Sequence, residues 1–150
     1  MENLFEKSAT DAVIARINKL TAETQPQWGK MSVGQMLAHC SVAYKYEYDN
    51  NYKKPKGLKK FLVKKLIKPM VVTEKPFKKN VMTSPDFKIT TPKEFEVEKN
   101  LLIEYLIKTQ ELGEKYYHNK ESHSFGVLTK DEWNIMFYKH LNYHLEQFGV

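Results

Sequence analysis

Three stretches of the chain carry apolar residues at helical spacing, and each follows a typical helix start. In a capping box, a Ser or Thr hydroxyl accepts a hydrogen bond from the N–H three residues later, and that residue's side chain bonds back to the cap. The candidate boxes are Ser32-Val33-Gly34-Gln35, Thr91-Pro92-Lys93-Glu94 and Thr129-Lys130-Asp131-Glu132. The apolar residues after them are Val33, Met36, Leu37, Cys40 and Tyr44; Leu101, Leu102, Tyr105, Leu112 and Tyr116; and Trp133, Phe137, Leu141, Leu145 and Phe148. These spacings predict three amphipathic helices.

A fourth helix is predicted near the N-terminus, where the apolar residues are Ala12, Ile14, Ile17 and Leu20. The run Phe87–Thr90 is the only short strand candidate, and no alternating pattern competes with the helical ones. The sequence therefore predicts an all-α protein with four main helices. Its length suits a single domain spanning residues 1–150.

Connection lengths constrain how these four helices pack. The stretch HNKESHSFGVL between the third and fourth helices is short, so these two helices should be antiparallel. About forty residues separate the second and third helices, which is enough to cross the molecule and bring them parallel. We therefore expect an up-down-down-up four-helix bundle.

The crossover between the second and third helices is strongly basic. Between Lys53 and Lys79 the sequence has eleven lysines and one acid, Glu74, so this stretch carries +10 and the rest of the chain −4. Within it, GLKKFLVKKLIK predicts a short amphipathic helix that packs as a lid, with its lysines outward. The residues expected to point inward are Leu58, Phe61, Leu62 and Leu66. The alternative is that this helix binds an anionic membrane surface or an acidic partner. Nucleic-acid binding is not favoured, because no reading motif accompanies the lysines.

Composition narrows the chemistry. The single cysteine, Cys40, excludes an internal disulfide and a cysteine-rich zinc site, so a metal would need histidine and carboxylate ligands. No apolar run has the length of a transmembrane helix or the features of a signal sequence. We expect a soluble cytoplasmic protein.

Two histidines lie on one face of the last predicted helix. His140 and His144 are four residues apart, hence about 40° apart around the helix axis, and they share their arc with Trp133 and Phe137. Two inward imidazoles without partners would cost roughly 1–3 kcal/mol each, so they must be hydrogen-bonded or ligate a metal. Both interpretations stay open without a third ligand.

Helix geometry selects His39 as that third ligand. In an antiparallel pair, the start of the second helix lies beside the end of the fourth. His39 lies about 10 Å into its helix, and His144 and His140 lie about 6 and 12 Å from the opposite helix's end, so the three fall at one level. Cys40 is the weaker ligand candidate, and His118 and His123 belong to the far turn. Three neutral histidines suit Zn²⁺, Ni²⁺ or Fe²⁺ and leave coordination positions open.

Other side chains are candidates for supporting roles. Gln147, Gln35 and Glu146 are candidates for holding the ring nitrogens of the ligands. Tyr44, Trp133 and Tyr138 either line a substrate pocket or fill the core; aromatic residues at helical spacing favour the core.

These motifs resemble a known superfamily. The histidine in GQMLAHC and the pair in HLNYHLEQ are similar to the DinB-like, YfiT-like superfamily of bacterial metal-binding four-helix bundles. The blocks WGKMSVGQMLAHC, FKKNVMTSPDFKI and FGVLTKDEW with YKHLNYHLEQFGV resemble one branch, a domain of unknown function, and cover residues 12–150. One departure is His123-Ser124, where the branch has His-Pro.

The resemblance implies the up-down-down-up bundle and a divalent metal on His39, His140 and His144. It also implies a homodimer, and an activity similar to thiol transferases that use bacillithiol, mycothiol or glutathione, or to thiol-dependent isomerases. The first functional hypothesis is therefore a metal-dependent thiol transferase with a small-molecule substrate. The alternatives are a metal-dependent hydrolase and a non-catalytic, metal-stabilised protein that docks on anionic partners or membranes.

Overall fold

Helices account for most of the computed structural model, which describes residues 1–49, 51–79 and 84–150. The α-helices are α1 (Lys7–Ile17), α2 (Val33–Tyr48), α3 (Gly57–Leu62), α4 (Lys68–Val71), α5 (Phe95–Tyr117) and α6 (Lys130–Gln147). A π-helical segment, Val63–Ile67, joins α3 to α4, and a 3-10 turn spans Pro85–Phe87. The strands β1 (Lys120–Ser122) and β2 (Gly126–Leu128) pair antiparallel, with Lys120 opposite Leu128.

Two of the three predicted capping boxes are confirmed. Ser32 Oγ accepts a hydrogen bond from the Gln35 N–H at 3.2 Å, and the Ser32 N–H donates to Gln35 Oε1 at 3.0 Å. Thr129 and Glu132 make the same reciprocal pair at the start of α6. These caps fix where the two helices that carry the histidines begin.

The third predicted box, at Thr91-Pro92-Lys93-Glu94, is wrong. Helix α5 begins at Phe95, with Glu94 as its cap residue, so Pro92 precedes the helix. The segment is instead held against the start of α2. Gln35 Nε2 donates to the Thr91 carbonyl at 3.2 Å, and the Lys93 carbonyl lies so close to Gly34 that a Cβ on Gly34 would be 2.6 Å away from that oxygen. These tertiary contacts override the local helix signal.

The predicted apolar stripes of α2 and α6 form the centre of the core. Each of their members is buried: Val33, Met36, Leu37, Cys40 and Tyr44 on α2; Trp133, Phe137, Leu141 and Leu145 on α6, with Phe148 just after it. The Tyr44 ring stacks on Phe137 with centroids 4.6 Å apart. Burying a large apolar side chain contributes about 1.5–3 kcal/mol, so this seam is a major source of stability.

The stripes of the other two main helices match the prediction less well. On α5 Tyr116 is exposed and Tyr117 is buried, because Gly113 adopts φ 66° and ψ 179° and interrupts the helical spacing between Leu112 and Tyr116. Helix α1 starts at Lys7 and ends at Ile17, so Leu20 is buried beyond the helix.

The contacts among the four main helices place α2 beside α6. Helix α2 contacts both α5 and α6, α1 contacts α5, and α5 also contacts α6. The 3-10 turn at Pro85–Phe87 packs against α2, and α4 packs against α6. The predicted strand at Phe87–Thr90 is absent. The strands of the described residues lie instead in a hairpin between α5 and α6, where the sequence predicts only a turn.

The crossover contains the predicted helix, but the predicted orientation is wrong. Leu58, Phe61, Leu62 and Leu66 are exposed, with relative exposures of 73%, 57%, 44% and 58%. The helix contacts the rest of the protein through its other side. Two ion pairs hold that side, Lys60 to Glu121 at 3.4 Å and Lys68 to Glu132 at 2.9 Å.

The end of the crossover is tied to α6 by one buried lysine. Lys139 is 5% exposed, and its ammonium donates to the carbonyls of Met70 at 2.8 Å and Lys75 at 3.0 Å, and also to that of Thr73. Desolvation lowers the pKa of Lys139. A charged donor with three carbonyl acceptors fixes residues 70–75 to the helix turn that carries His140.

Within the described ranges, none of the helices combines the length and the apolarity that a membrane span requires.

Lys139→Met should lower the free energy of unfolding by about 2–3 kcal/mol, because the variant keeps an apolar stem but leaves three carbonyls without their charged donor. Urea unfolding followed by circular dichroism measures the loss. Trypsin should also cleave sooner within residues 53–79. Lys115→Met, at an exposed lysine of α5, is the matched control. Equal stability and equal cleavage of the two variants would contradict this role for Lys139.

Candidate metal centre

Three histidines converge between α2 and α6. His39 comes from α2, and His140 and His144 come from successive turns of α6. Ring centroids lie 4.9 Å apart for His39 and His140, 4.5 Å for His39 and His144, and 5.0 Å for His140 and His144. One nitrogen from each ring can be chosen so that all three lie within 4.8 Å of one another, and the set could hold a metal ion. His39 and His144 are buried and His140 is half-buried.

The tautomer of His39 is set by a backbone carbonyl. His39 Nδ1 lies 2.7 Å from the carbonyl oxygen of Phe87, in the 3-10 turn. A carbonyl only accepts, so Nδ1 carries the proton and Nε2 of the neutral ring keeps its lone pair. That lone pair faces His140, whose Nε2 lies 2.9 Å away.

The tautomer of His144 is set by Gln147. His144 Nδ1 lies 2.8 Å from Gln147 Oε1, and Gln147 Nε2 donates to the Trp28 carbonyl at 2.6 Å. Because the amide nitrogen is committed to Trp28, its oxygen faces the imidazole and accepts from Nδ1–H. His144 therefore also leaves Nε2 unprotonated. Hydrogen bonds of this kind on the outer ring nitrogen are typical of histidine metal ligands.

Nitrogen spacing is compatible with a small divalent cation. Without an ion, the neutral His39 accepts at Nε2, so the proton between the two rings belongs to His140. Two nitrogens bound to one tetrahedral zinc are about 3.4 Å apart at the usual Zn–N lengths. The Nε2 atoms of His39 and His140 are 2.9 Å apart, slightly closer than this, and all three ligand nitrogens lie within 4.8 Å of one another. Small shifts of the side chains would therefore bring the nitrogens to the spacing that an ion requires.

Burial keeps the three rings neutral. Desolvation lowers the pKa of His39, against the opposing effect of its bond to Phe87. Desolvation, with repulsion from the two other rings, lowers the pKa of His140 well below its usual value. Desolvation also lowers the pKa of His144 to about 4. Neutral imidazoles are the protonation state that binds metals.

The thiol of Cys40 is not part of this cluster. Cys40 is fully buried, its Sγ lies 3.7 Å from Met36 Sδ, and desolvation raises the pKa of the thiol. The side chain is a core residue of α2, as its place in the apolar stripe indicates.

Of the three residues considered for holding ring nitrogens, only Gln147 lies against a histidine. Gln35 completes the cap of α2 and also bonds to Thr91. Glu146 is exposed and accepts from Asn142 Nδ2 at 2.9 Å. The difference follows from helical phase, because Gln147, three residues after His144, lies about 60° from it around the helix axis, whereas Glu146, two residues after it, lies about 160° away.

The aromatic candidates pack in the core. Tyr44 and Trp133 are buried, and Tyr138 is half-buried against the core. The rings that border the histidines are others. Phe87 lies 5.3 Å from His39 and 5.6 Å from His140, and Tyr143 lies 5.0 Å from His144. Tyr143 could have been found from its position beside His144, whereas Phe87 acts mainly through its backbone and has no sequence signature.

The remaining histidines lie in the region between α5 and α6. His118 is exposed and contacts the Asn119 amide at 3.1 Å. His123 stacks on Tyr46 at 4.0 Å, and Tyr46 in turn contacts Phe87 at 5.4 Å. Only the rings of Tyr46 and Phe87 thus lie between His123 and the cluster. His123 is therefore closer to the cluster than its place in the turn between α5 and α6 predicts.

The family described as "Protein of unknown function (DUF1569)" matches the chain over residues 3–149, a range that includes the three histidines and their partners. No curated protein and no solved structure matches the chain.

Acid should destabilise the metal-free protein between about pH 6.5 and pH 4. In the unfolded chain each histidine titrates near 6.5, whereas in the folded protein the pKa of His144 is about 4. Within this window the unfolded state binds protons that the folded state does not, so stability falls as the pH falls; above it neither state is protonated and the effect vanishes. For His144 alone the loss is on the order of 3 kcal/mol.

Urea unfolding of the chelator-treated protein across this pH range measures the slope. His118→Ala, which removes an exposed ring outside the cluster, is the control. A stability that stays flat from neutral pH to pH 4 would show that the three rings are not held neutral.

Proposed function

The chain belongs to the DUF1569 family, and on that premise we propose that it is a divalent-metal-dependent enzyme whose metal is held by His39, His140 and His144. The observation that carries the proposal is the convergence of three neutral rings, two of which have their outer Nδ1–H locked onto carbonyl oxygens. A structural core cluster needs no such uniform orientation. Three protein ligands leave coordination positions for a substrate, as in reactive metal sites.

Zn²⁺, Ni²⁺ and Fe²⁺ all suit an imidazole donor set without carboxylates or thiolates. Such an ion would act as a Lewis acid that favours the deprotonated form of a thiol or a water. The chain's own residues supply the rest. Phe87 O and Gln147 orient the ligands, and the rings of Phe87 and Tyr143 restrict water around them.

Within this proposal, the reaction is the transfer of a low-molecular-weight thiol to an electrophile. The thiol sulfur forms a bond to an electrophilic carbon, the leaving group departs with its bonding electron pair, and the thiol proton passes to solvent. The resemblance to DinB-like proteins motivates this reaction. The DinB-like affiliation, the up-down-down-up four-helix bundle, the single domain and the homodimer are parts of the same proposal.

Basic residues at the end of the crossover support an anionic cosubstrate. Lys79 Nζ lies 4.2 Å from the centroid of the Trp28 ring, Trp28 lies 6.0 Å from Tyr143, and Tyr143 contacts His144. Lys79, two aromatic rings away from His144, would attract the carboxylates of a thiol such as glutathione. The same site could instead hydrolyse a substrate without any thiol, and the assay below separates these reactions.

The purified protein, without a histidine tag, should contain about one Zn, Ni or Fe per chain, and His144→Ala should lose it because two ligands hold an ion far more weakly. Elemental analysis by mass spectrometry measures the content. His118→Ala, which removes an exposed histidine outside the cluster, is the control and should keep its metal. If neither the wild type nor the control takes up added metal while both stay folded, the cluster is a hydrogen-bonded core element and the proposed function falls.

Metal-loaded protein should accelerate the reaction of at least one thiol with a generic aryl halide, whereas chelator-stripped protein and His144→Ala should not. The assay compares bacillithiol, mycothiol and glutathione, with disappearance of the thiol as the readout. Turnover of an activated ester in thiol-free buffer, lost with the metal, would favour the hydrolase instead. Absence of a metal-dependent rate with every thiol would contradict the transferase.

A further inference from the structure

One surface of the described chain combines large exposed apolar side chains with a high density of lysines. We call it the crossover face and define it by six residues, all at least 44% exposed: Leu58, Phe61, Leu62, Leu66, Ile67 and Met70. They lie on the continuous helical run of α3, the π-helical segment and α4. Scattered apolar residues need no explanation on a protein surface, but six on fifteen consecutive helical residues form a patch that indicates an interaction.

The charged residues of the segment that carries this face are all lysines. From Lys53 to Val71 the sequence has eight lysines and no acid. Two of them, Lys60 and Lys68, pair with Glu121 and Glu132. The others include Lys59 and Lys65, which are exposed between the apolar residues, and Lys64, which is exposed with the end of its side chain against Gly126 of β2. A lysine in this setting can lay its methylenes along an apolar surface and keep its ammonium in a polar layer.

The helix is fixed so that the apolar residues stay outside. Lys60 and Lys68 bind acids on β1 and α6, and Val63, between them in the same helical run, is half-buried. Just after α4, the Lys139 ammonium holds three carbonyls of residues 70–75. Turning the apolar side inward would break both ion pairs. The exposure is therefore a property of how the helix is attached.

We propose that the crossover face docks the protein on an anionic lipid bilayer, with the six apolar residues in the boundary between headgroups and acyl chains. Such a bilayer offers both an apolar layer and a negative surface, which matches a helix that has apolar residues and lysines side by side. A second copy of this chain would bring two sets of eight lysines together, and the repulsion opposes that occupant. The proposal stands on different residues from the metal centre and does not depend on it.

Co-sedimentation of the full chain with vesicles tests the docking. The protein should pellet with phosphatidylcholine vesicles that contain phosphatidylserine and stay in solution with pure phosphatidylcholine. Binding should be strong at low ionic strength and weak at high ionic strength, because salt screens the lysines. Replacing Phe61, Leu62 and Leu66 with Gln should lower the partition coefficient at least about tenfold. Replacing Lys59, Lys64 and Lys65 with Gln should lower it about 100-fold.

Matched controls separate the face from general surface properties. The double variant Val97→Gln, Ile107→Gln removes exposed apolar residues of α5. The triple variant Lys19→Gln, Lys30→Gln, Lys115→Gln removes three positive charges outside the crossover face. Each control should bind anionic vesicles more strongly than the variant of the crossover face to which it corresponds. All substituted residues are exposed, so thermal unfolding should give similar Tm values throughout.

Insertion has its own readout. Phe61→Trp should add tryptophan emission that shifts to the blue when anionic vesicles are added, whereas the emission added by Val97→Trp, at a similarly exposed position, should not shift. Failure of the folded wild-type protein to bind anionic vesicles at low salt would overturn the proposal. So would binding that the Phe61, Leu62 and Leu66 substitutions leave unchanged, or a wild-type dimer in sedimentation velocity that these substitutions abolish.

Discussion

A buried imidazole N–H must find an acceptor, and two of the three clustered rings take theirs from outside the cluster. His39 uses the Phe87 carbonyl and His144 uses Gln147, which Trp28 holds in place. The loop before α2 and the 3-10 turn before α5 are thereby bound to the centre of the protein. Their positions, and with them the aromatic border of the cluster, follow from this single requirement of buried polar groups.

Burial of the three histidines also explains how a basic chain can hold a site for a cation. Eleven lysines lie between residues 53 and 79, yet the cluster itself is neutral because desolvation disfavours the charged, doubly protonated form of its rings. Lys139, next to His140 in the sequence, has its ammonium turned toward the carbonyls of the crossover. Positive charge is thus kept at the rim, where it can attract anions, and out of the place where a metal ion would lie.

Features that depend on residues close in sequence could be predicted, and features that depend on contacts between distant residues could not. The caps at Ser32 and Thr129, the stripes of α2 and α6 and the level at which His39 meets His140 depend on helical geometry, which residue spacing contains. The start of α5 depends on the approach of Lys93 to Gly34, and the orientation of the crossover helix depends on ion pairs with distant acids. Gln147 was recognisable because it is one helical turn from its histidine, whereas the Phe87 carbonyl belongs to the backbone, which every residue shares.

The two hydrogen bonds that orient the histidines therefore differ in how they tolerate mutation. The oxygen that holds His39 belongs to the main chain at residue 87, so a new side chain there leaves the acceptor in place as long as the turn keeps its shape. The oxygen that holds His144 belongs to a side chain, and most substitutions at residue 147 remove it. Selection for this orientation would conserve the residue at position 147 but would hardly restrict the residue at position 87. A comparison of sequences would therefore reveal only one of the two groups that orient the histidines.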